Sequence, residues 1–71
     1  MPLTMGEKIK ILLGRRGLTL AQLAELTGQS RQNLSGKMKR DNFSEKDLQE
    51  IAAALGCEWC AFFRFPDGTE I

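Results

Sequence analysis

Seventy-one residues, 42% hydrophobic and 27% charged with a formal net charge of +1, make one small domain with a single core and leave no room for a second. No apolar run approaches the roughly 20 residues that span a bilayer, and the first residues lack the basic, apolar and small-residue succession of a secretory leader, so a cytoplasmic protein without membrane contact is expected. With no His, no Tyr and only Cys57 and Cys60 as thiols, the chain is short of groups for acid-base, nucleophilic or self-contained metal chemistry, so neither an enzyme nor a cofactor is expected.

The near-neutral total hides a polarity along the chain. Residues 1–40 carry Lys8, Lys10, Arg15, Arg16, Arg31, Lys37, Lys39 and Arg40 against Glu7 and Glu25, a balance of +6. The remainder carries Lys46 and Arg64 against Asp41, Glu45, Asp47, Glu50, Glu58, Asp67 and Glu70, a balance of −5. Such a distribution suits a protein that turns a basic face to a polyanion and keeps its acidic part away from it.

Capping residues and glycines punctuate the chain at regular intervals. Thr4 with Glu7 reads as a capping box, Met5, Ile9, Leu12 and Leu13 form one apolar stripe, and Gly17 offers a left-handed stop, which predicts a helix over 5–16. Thr19 with Gln22 repeats the box, Leu18 and Leu23 stand at staple positions, and Leu20, Leu23 and Ala24 give the inner face of a short helix over 20–27 that ends at Gly28. Ser30 caps a third helix to about Lys39, whose large apolar residues are Leu34 and Met38 alone, one turn apart; it is lightly held on one face and polar elsewhere. Ser44 and Asp47 open a fourth, with Leu48, Ile51, Ala52 and Leu55 inward and Gly56 as its stop.

The last fifteen residues are less regular. A helical turn is expected over Glu58–Phe62, followed by alternating Phe63-Arg64-Phe65, a Pro66-Asp67-Gly68 turn and Thr69-Glu70-Ile71, the pattern of a short strand or hairpin. The fold class is therefore all-α: a compact bundle of four to five helices with a C-terminal β-strand or hairpin, forming one domain over 1–71 with its core at about 4–63 and the strand or hairpin over 63–71.

Two short helices joined at Gly28, the second capped by Ser30 and rich in basic and amide side chains, outline a helix-turn-helix. Residues 17–36, GLTLAQLAELTGQSRQNLSG, resemble the helix-turn-helix of the phage repressor and Cro type. Leu18-Thr19, Leu23-Ala24, Gly28, Ser30 and Leu34 carry the likeness, and LQEIAAALG over 48–56 resembles the helix that usually follows. The resemblance implies a transcription regulator that lays its third helix in the major groove of double-stranded DNA, two copies occupying half-sites about one helical turn apart. Members of this type commonly carry Gln after the Thr of helix 2, where this chain has Leu20.

Helical geometry gives the same surface independently. At about 100° per residue, Leu34 and Met38 face inward, while Gln32, Asn33, Gly36, Lys39 and Arg40 face away with Arg31 and Ser35 beside them. Amides suit an adenine edge, Arg31 suits guanine O6 and N7, and cations suit phosphates. The expected base-reading residues are Arg31, Gln32, Asn33, Ser35 and Gly36; the expected phosphate contacts are Thr19, Lys37, Lys39, Arg40 and Asn42.

Cys57-Glu58-Trp59-Cys60 supplies two of the four ligands zinc needs, so it closes a site only if shared across a dimer, and it lacks the strand-helix setting of a redox motif. The reading adopted from sequence is a Cys57 buried after helix 4, an incidental Cys60, both reduced, and no metal. Trp59, Phe62, Phe63 and Phe65 exceed what so small a core requires and are expected to form a homodimer interface, core closure being the alternative. A second function class stays open, a module of the same fold that grips a protein, such as an antitoxin or anti-repressor. A regulatory protein partner is also admitted, because a chain of this length is expected to hold no sensor domain.

Overall fold

A computed structural model describes residues 2–71. Four helices follow one another: α1 (Met5–Arg16), α2 (Leu20–Leu26), α3 (Arg31–Arg40) and α4 (Glu45–Ala54). Each begins on a hydroxyl. Thr4, Thr19 and Ser44 accept from the N–H three residues on, and Glu7, Gln22 and Asp47 return the bond to the cap N–H, closing three capping boxes; Ser30 makes the forward bond alone, from Asn33 N–H at 3.0 Å. Each satisfies first-turn amides that have no partner inside the helix. Between α2 and α3 the chain turns at Gly28, whose φ of 69° is a left-handed conformation that a side chain would oppose.

The core is made of Ile9 and Leu13 from α1, Leu23 and Ala24 from α2, Leu34 from α3, Ile51 and Ala52 from α4, and Leu55 just beyond. Met5, Leu12, Leu18, Leu20, Met38, Phe43 and Leu48 pack around it, half-buried. The stripes expected in each helix all point inward. α3 contributes one fully buried side chain, Leu34, with half-buried Met38 packed beside it, and polar bonds add to this small apolar seat.

One such bond has no signature in the sequence. Asp41 closes α3 in the left-handed region, φ 51° and ψ 41°, and its Oδ1 accepts from Gly6 N–H at 2.9 Å. The acceptor that α1 lacks at its second residue thus comes from the far end of α3, with a carboxylate at the positive end of the α1 dipole. Gly6 permits the approach, since a Cβ there would stand 3.2 Å from the Met38 carbonyl oxygen.

Beyond α4 the structure departs from expectation in three respects. No fifth helix forms: Glu58–Phe62 is irregular, so the bundle has four helices among the described residues. No C-terminal strand forms either. Phe63 and Ile71 exchange backbone hydrogen bonds at 2.6 and 2.8 Å, Phe65 N–H reaches Thr69 C=O at 2.7 Å, and the pairing amounts to one isolated antiparallel bridge, Arg64 with Glu70. Three residues on either side of a Pro66-Asp67-Gly68 turn form this one bridge and no longer ladder. Third, Cys57 is exposed, because Leu55 already fills the apolar place after α4 and Cys57 is drawn outward by its N–H bond to Ala52 C=O at 2.9 Å.

From Ala61 onward every residue is exposed, and the molecule is drawn out to 42 × 24 × 21 Å with a radius of gyration of 13.4 Å, against about 11 Å for a compact chain of this length. Among the described residues no helix is long and apolar enough to cross a membrane.

The Asp41 bond generates a graded test. Asp41→Ala removes the acceptor and places a Cβ-bearing, non-self-bonding residue at positive φ, and urea unfolding should show a loss of about 2 kcal/mol. Asp41→Gly should lose less, since it relieves the backbone and forfeits the bond alone, and Asp41→Asn least. Equal losses for Ala and Gly would show that the left-handed conformation carries no weight.

Candidate nucleic-acid interface

α3 is seated by Leu34 and half-buried Met38, leaving Arg31, Gln32, Asn33, Lys39 and Arg40 exposed. Arg31, Gln32, Ser35, Gly36 and Lys39 line one shallow concavity of about 300 Å³. Four of the five expected base readers therefore meet at one place, joined by a lysine. The side chains of Arg31, Gln32 and Lys39 have no hydrogen-bond or ionic partner among the described residues, and no carboxylate lines the concavity. Donors without internal partners, in a hollow free of acid, suit an anionic ligand bearing acceptors.

The fifth expected reader, Asn33, is occupied elsewhere. Its Nδ2 donates to Gln29 Oε1 at 2.9 Å, Gln29 Nε2 donates to Thr27 Oγ1 at 2.8 Å, and Thr27 Oγ1 donates to the Leu23 carbonyl at 2.9 Å. This chain of amides ties the first turn of α3 to the end of α2. It commits one of the two groups that a bidentate contact with adenine requires, so Asn33 holds the turn and Gln32 is left as the free amide.

Lys37 is likewise withdrawn. Its Nζ donates to Asp47 Oδ1 of α4 at 2.8 Å, both side chains 22% exposed. Arg40 lies back along α3, its guanidinium 3.2 Å from where a Cβ on Gly36 would stand. Gly36 is what lets it rest there. Thr19 is exposed at the start of α2, its Oγ1 already accepting from Gln22 N–H at 3.1 Å, which leaves the hydroxyl proton to give. Asn42 is exposed beyond α3, with its backbone N–H on the Lys37 carbonyl at 3.1 Å.

The aromatic residues divide into two groups. Trp59 is half-buried and lines a hollow with Met5, Ile9, Leu12, Leu48 and Ile51, whereas Phe62, Phe63 and Phe65 are 52, 80 and 48% exposed. Arg64 stacks over the Phe62 ring at 5.3 Å and pairs with Glu70 at 2.6 Å. Phe62, Phe63 and Ile71 line one hollow together with Leu48 and Trp59.

Comparison with known families gives the domain type. The Cro/C1-type HTH DNA-binding domain matches residues 8–60, from the second turn of α1 through α4 to Cys60. The chain belongs to the Cro/C1-type helix-turn-helix family. No curated protein and no solved structure matches it. In this Cro/C1-type domain the open concavity lies on the second helix of the motif, and the resemblance seen in residues 17–36 falls inside the matched span.

The Lys37–Asp47 pair also has a pH signature. The Lys37 ammonium, followed by the Ser44 N–H, holds the Asp47 carboxyl below its ordinary value of 3.8. A depressed folded-state value means that the pair stabilises the fold above 3.8 and that this contribution is lost as pH falls through the lower, folded value. Asp47→Asn should therefore be less stable than the parent at neutral pH and lose less on acidification below 3.8, followed by urea midpoints across the acid range. Parallel acid limbs would show that the pair contributes nothing.

Proposed function

We propose that this protein is a sequence-specific transcriptional regulator that binds double-stranded DNA as a homodimer on an inverted repeat, with α3 in the major groove. The concavity of Arg31, Gln32, Ser35, Gly36 and Lys39, open and free of acid, carries this reading. Arg31 pairs with guanine O6 and N7, Gln32 with an adenine edge, and Ser35 and Gly36 form the low floor that admits the base pair. Lys39 and Arg40 hold phosphates, with Thr19 and Asn42 at the margins. Lys37, neutralised by Asp47, stands outside the phosphate set, and Asn33 acts by stiffening the turn.

Phe62, Phe63 and Phe65 supply the homodimer contact in this reading, supported by their exposure on a tail that adds nothing to the core; Trp59 anchors the tail to the body. A two-fold contact is self-complementary and sets both copies of α3 against a symmetric site. The protein acts in the cytoplasm, controlled by its own concentration, by a protein partner or by proteolysis.

Selection of bound duplexes from a random pool tests the whole reading. Recovery of an inverted repeat is expected; no enrichment would shift the assignment to a protein-gripping module of the antitoxin or anti-repressor kind, which half-buried, apolar Leu20 at the start of α2 favours. On the selected duplex, Arg31→Ala and Gln32→Ala should each lose about 1–3 kcal/mol of discrimination at one base pair, whereas Lys39→Ala should weaken matched and mismatched sites alike. Two phosphate-bound cations per subunit give a dimer a log-log salt slope near −4, at about −0.9 per phosphate, and Lys37→Ala should leave that slope unchanged. A slope of zero would refute the electrostatic half of the proposal. In metal-free buffer, truncation after Phe62 should convert a dimer to a monomer in sedimentation, and a truncated chain that stays dimeric there would remove the tail from the interface.

A further inference from the structure

Cys57 and Cys60 are the two thiols of the chain, and both are free and exposed. They stand in the loop that joins α4 to the exposed aromatic tail. The Cys57 backbone is pinned to the end of α4 through its N–H bond to Ala52 C=O, while the following three residues lie in irregular chain in which half-buried Trp59 sits between the two exposed thiols. Two residues between the cysteines is the spacing at which a short loop grips one metal ion with both sulfurs. Among the described residues no third Cys, Asp or Glu is gathered with them into a metal-holding group, and the chain has no His.

From these observations we infer that Cys57 and Cys60 form half of a tetrathiolate zinc site, completed by the same two residues of a second copy of the chain. Zinc takes four tetrahedral ligands in structural sites, at about 2.3 Å for sulfur, and a single chain offers two. One ion on the two-fold axis between two copies satisfies it. Four thiols lose four protons as the ion binds, leaving a centre of net charge −2. The guanidinium of Arg16 on α1 comes close to it in space, donating to the Gly56 carbonyl at 3.3 Å, one residue from Cys57, and offsets part of that charge. The indole N–H of Trp59, between the two cysteines, is shielded from water and has no acceptor, so the loop retains an unspent donor. The proposal is independent of DNA reading: it concerns how two copies are joined.

Cobalt(II) and zinc titrations of the full-length, metal-free protein, reduced with a non-thiol phosphine and kept from oxygen, test it. Cobalt should develop the visible bands of tetrahedral thiolate coordination and saturate at one ion per two chains, and zinc should displace it. Sedimentation should show zinc shifting the population toward dimer and a chelator reversing the shift. Cys57→Ser and Cys60→Ser should each abolish both the bands and the zinc effect, with the helical circular dichroism unchanged, since both side chains are exposed. Saturation at one ion per chain, absence of the bands, or a zinc effect that survives either substitution would overturn the inference. If the metal-free chain is already dimeric through its tail, the stoichiometry and the bands still decide.

Discussion

Because α3 gives the core a single fully buried side chain, Leu34, its placement depends on polar ties to each of the other helices. The amide chain from Asn33 through Gln29 and Thr27 holds its first turn to α2, the Lys37–Asp47 pair holds its middle to α4, and Asp41 holds its end to α1 through Gly6 N–H. A helix presenting most of its surface to a ligand cannot be fixed by apolar burial without losing that surface. Three directional ties solve the problem at little cost in area. Each is worth about 1 kcal/mol net, and together they set the orientation of Arg31, Gln32 and Lys39 relative to the body of the domain.

The same economy limits the rest of the molecule. Eight buried side chains make the core, and the residues from Ala61 onward add nothing to it. A domain of this size buries about 60% of the surface its unfolded chain exposes and is correspondingly marginal. The tail is folded by its own short-range bonds: the Pro66-Asp67-Gly68 turn, Asp67 Oδ1 accepting from Thr69 N–H at 2.9 Å, and Arg64 on Glu70. A paired ribbon this short is not stable alone in water, and its exposed phenylalanines lower the free energy of the system only when another surface covers them. Trp59 fixes the root of the tail to α1 and α4, so whatever covers the phenylalanines is held in register with the bundle.

The four helices and their inward faces were legible because each boundary is a local event. Thr4, Thr19, Ser30 and Ser44 cap from within their own first turns, and the apolar spacing that follows leaves one face to bury. The outward face of α3 followed from the same spacing. What could not be read was which of its polar residues were already engaged. Lys37 and Lys39 are both basic residues on α3 in the sequence; only the approach of α4 decides that Lys37 meets Asp47 ten residues on, while Lys39 stays free. Asn33 and Gln32 differ likewise by whether Gln29 lies within reach. The Asp41–Gly6 bond spans thirty-five residues and leaves no local trace beyond a glycine early in a helix, where propensity alone would disfavour it. The tail pairs as a short hairpin and falls short of a strand for the opposite reason. Alternation and turn chemistry favour extended chain locally, but a strand needs a neighbour longer than the one this hairpin supplies.

Once Lys37 is paired with Asp47 and Asn33 is committed to the turn, the proposed function leaves each copy of the domain two free side chains for reading bases, Arg31 and Gln32, and two free cations at the far end of α3. At about 1–3 kcal/mol per good bidentate contact, two contacts in one copy give about 2–6 kcal/mol, reaching only the lower half of the range of about 4–10 kcal/mol that separates specific from non-specific binding. Two copies on a symmetric site bring the sum into that range and double the number of displaced counterions. Sparse equipment on α3 therefore bears on the proposed assembly as much as on the proposed contact: two reading heads held at a fixed spacing discriminate more than one of this size can. The features that the bundle leaves unused, exposed phenylalanines on a short hairpin and an exposed pair of thiols at its root, lie together in the segment after α4, where a two-fold joint would leave α3 free.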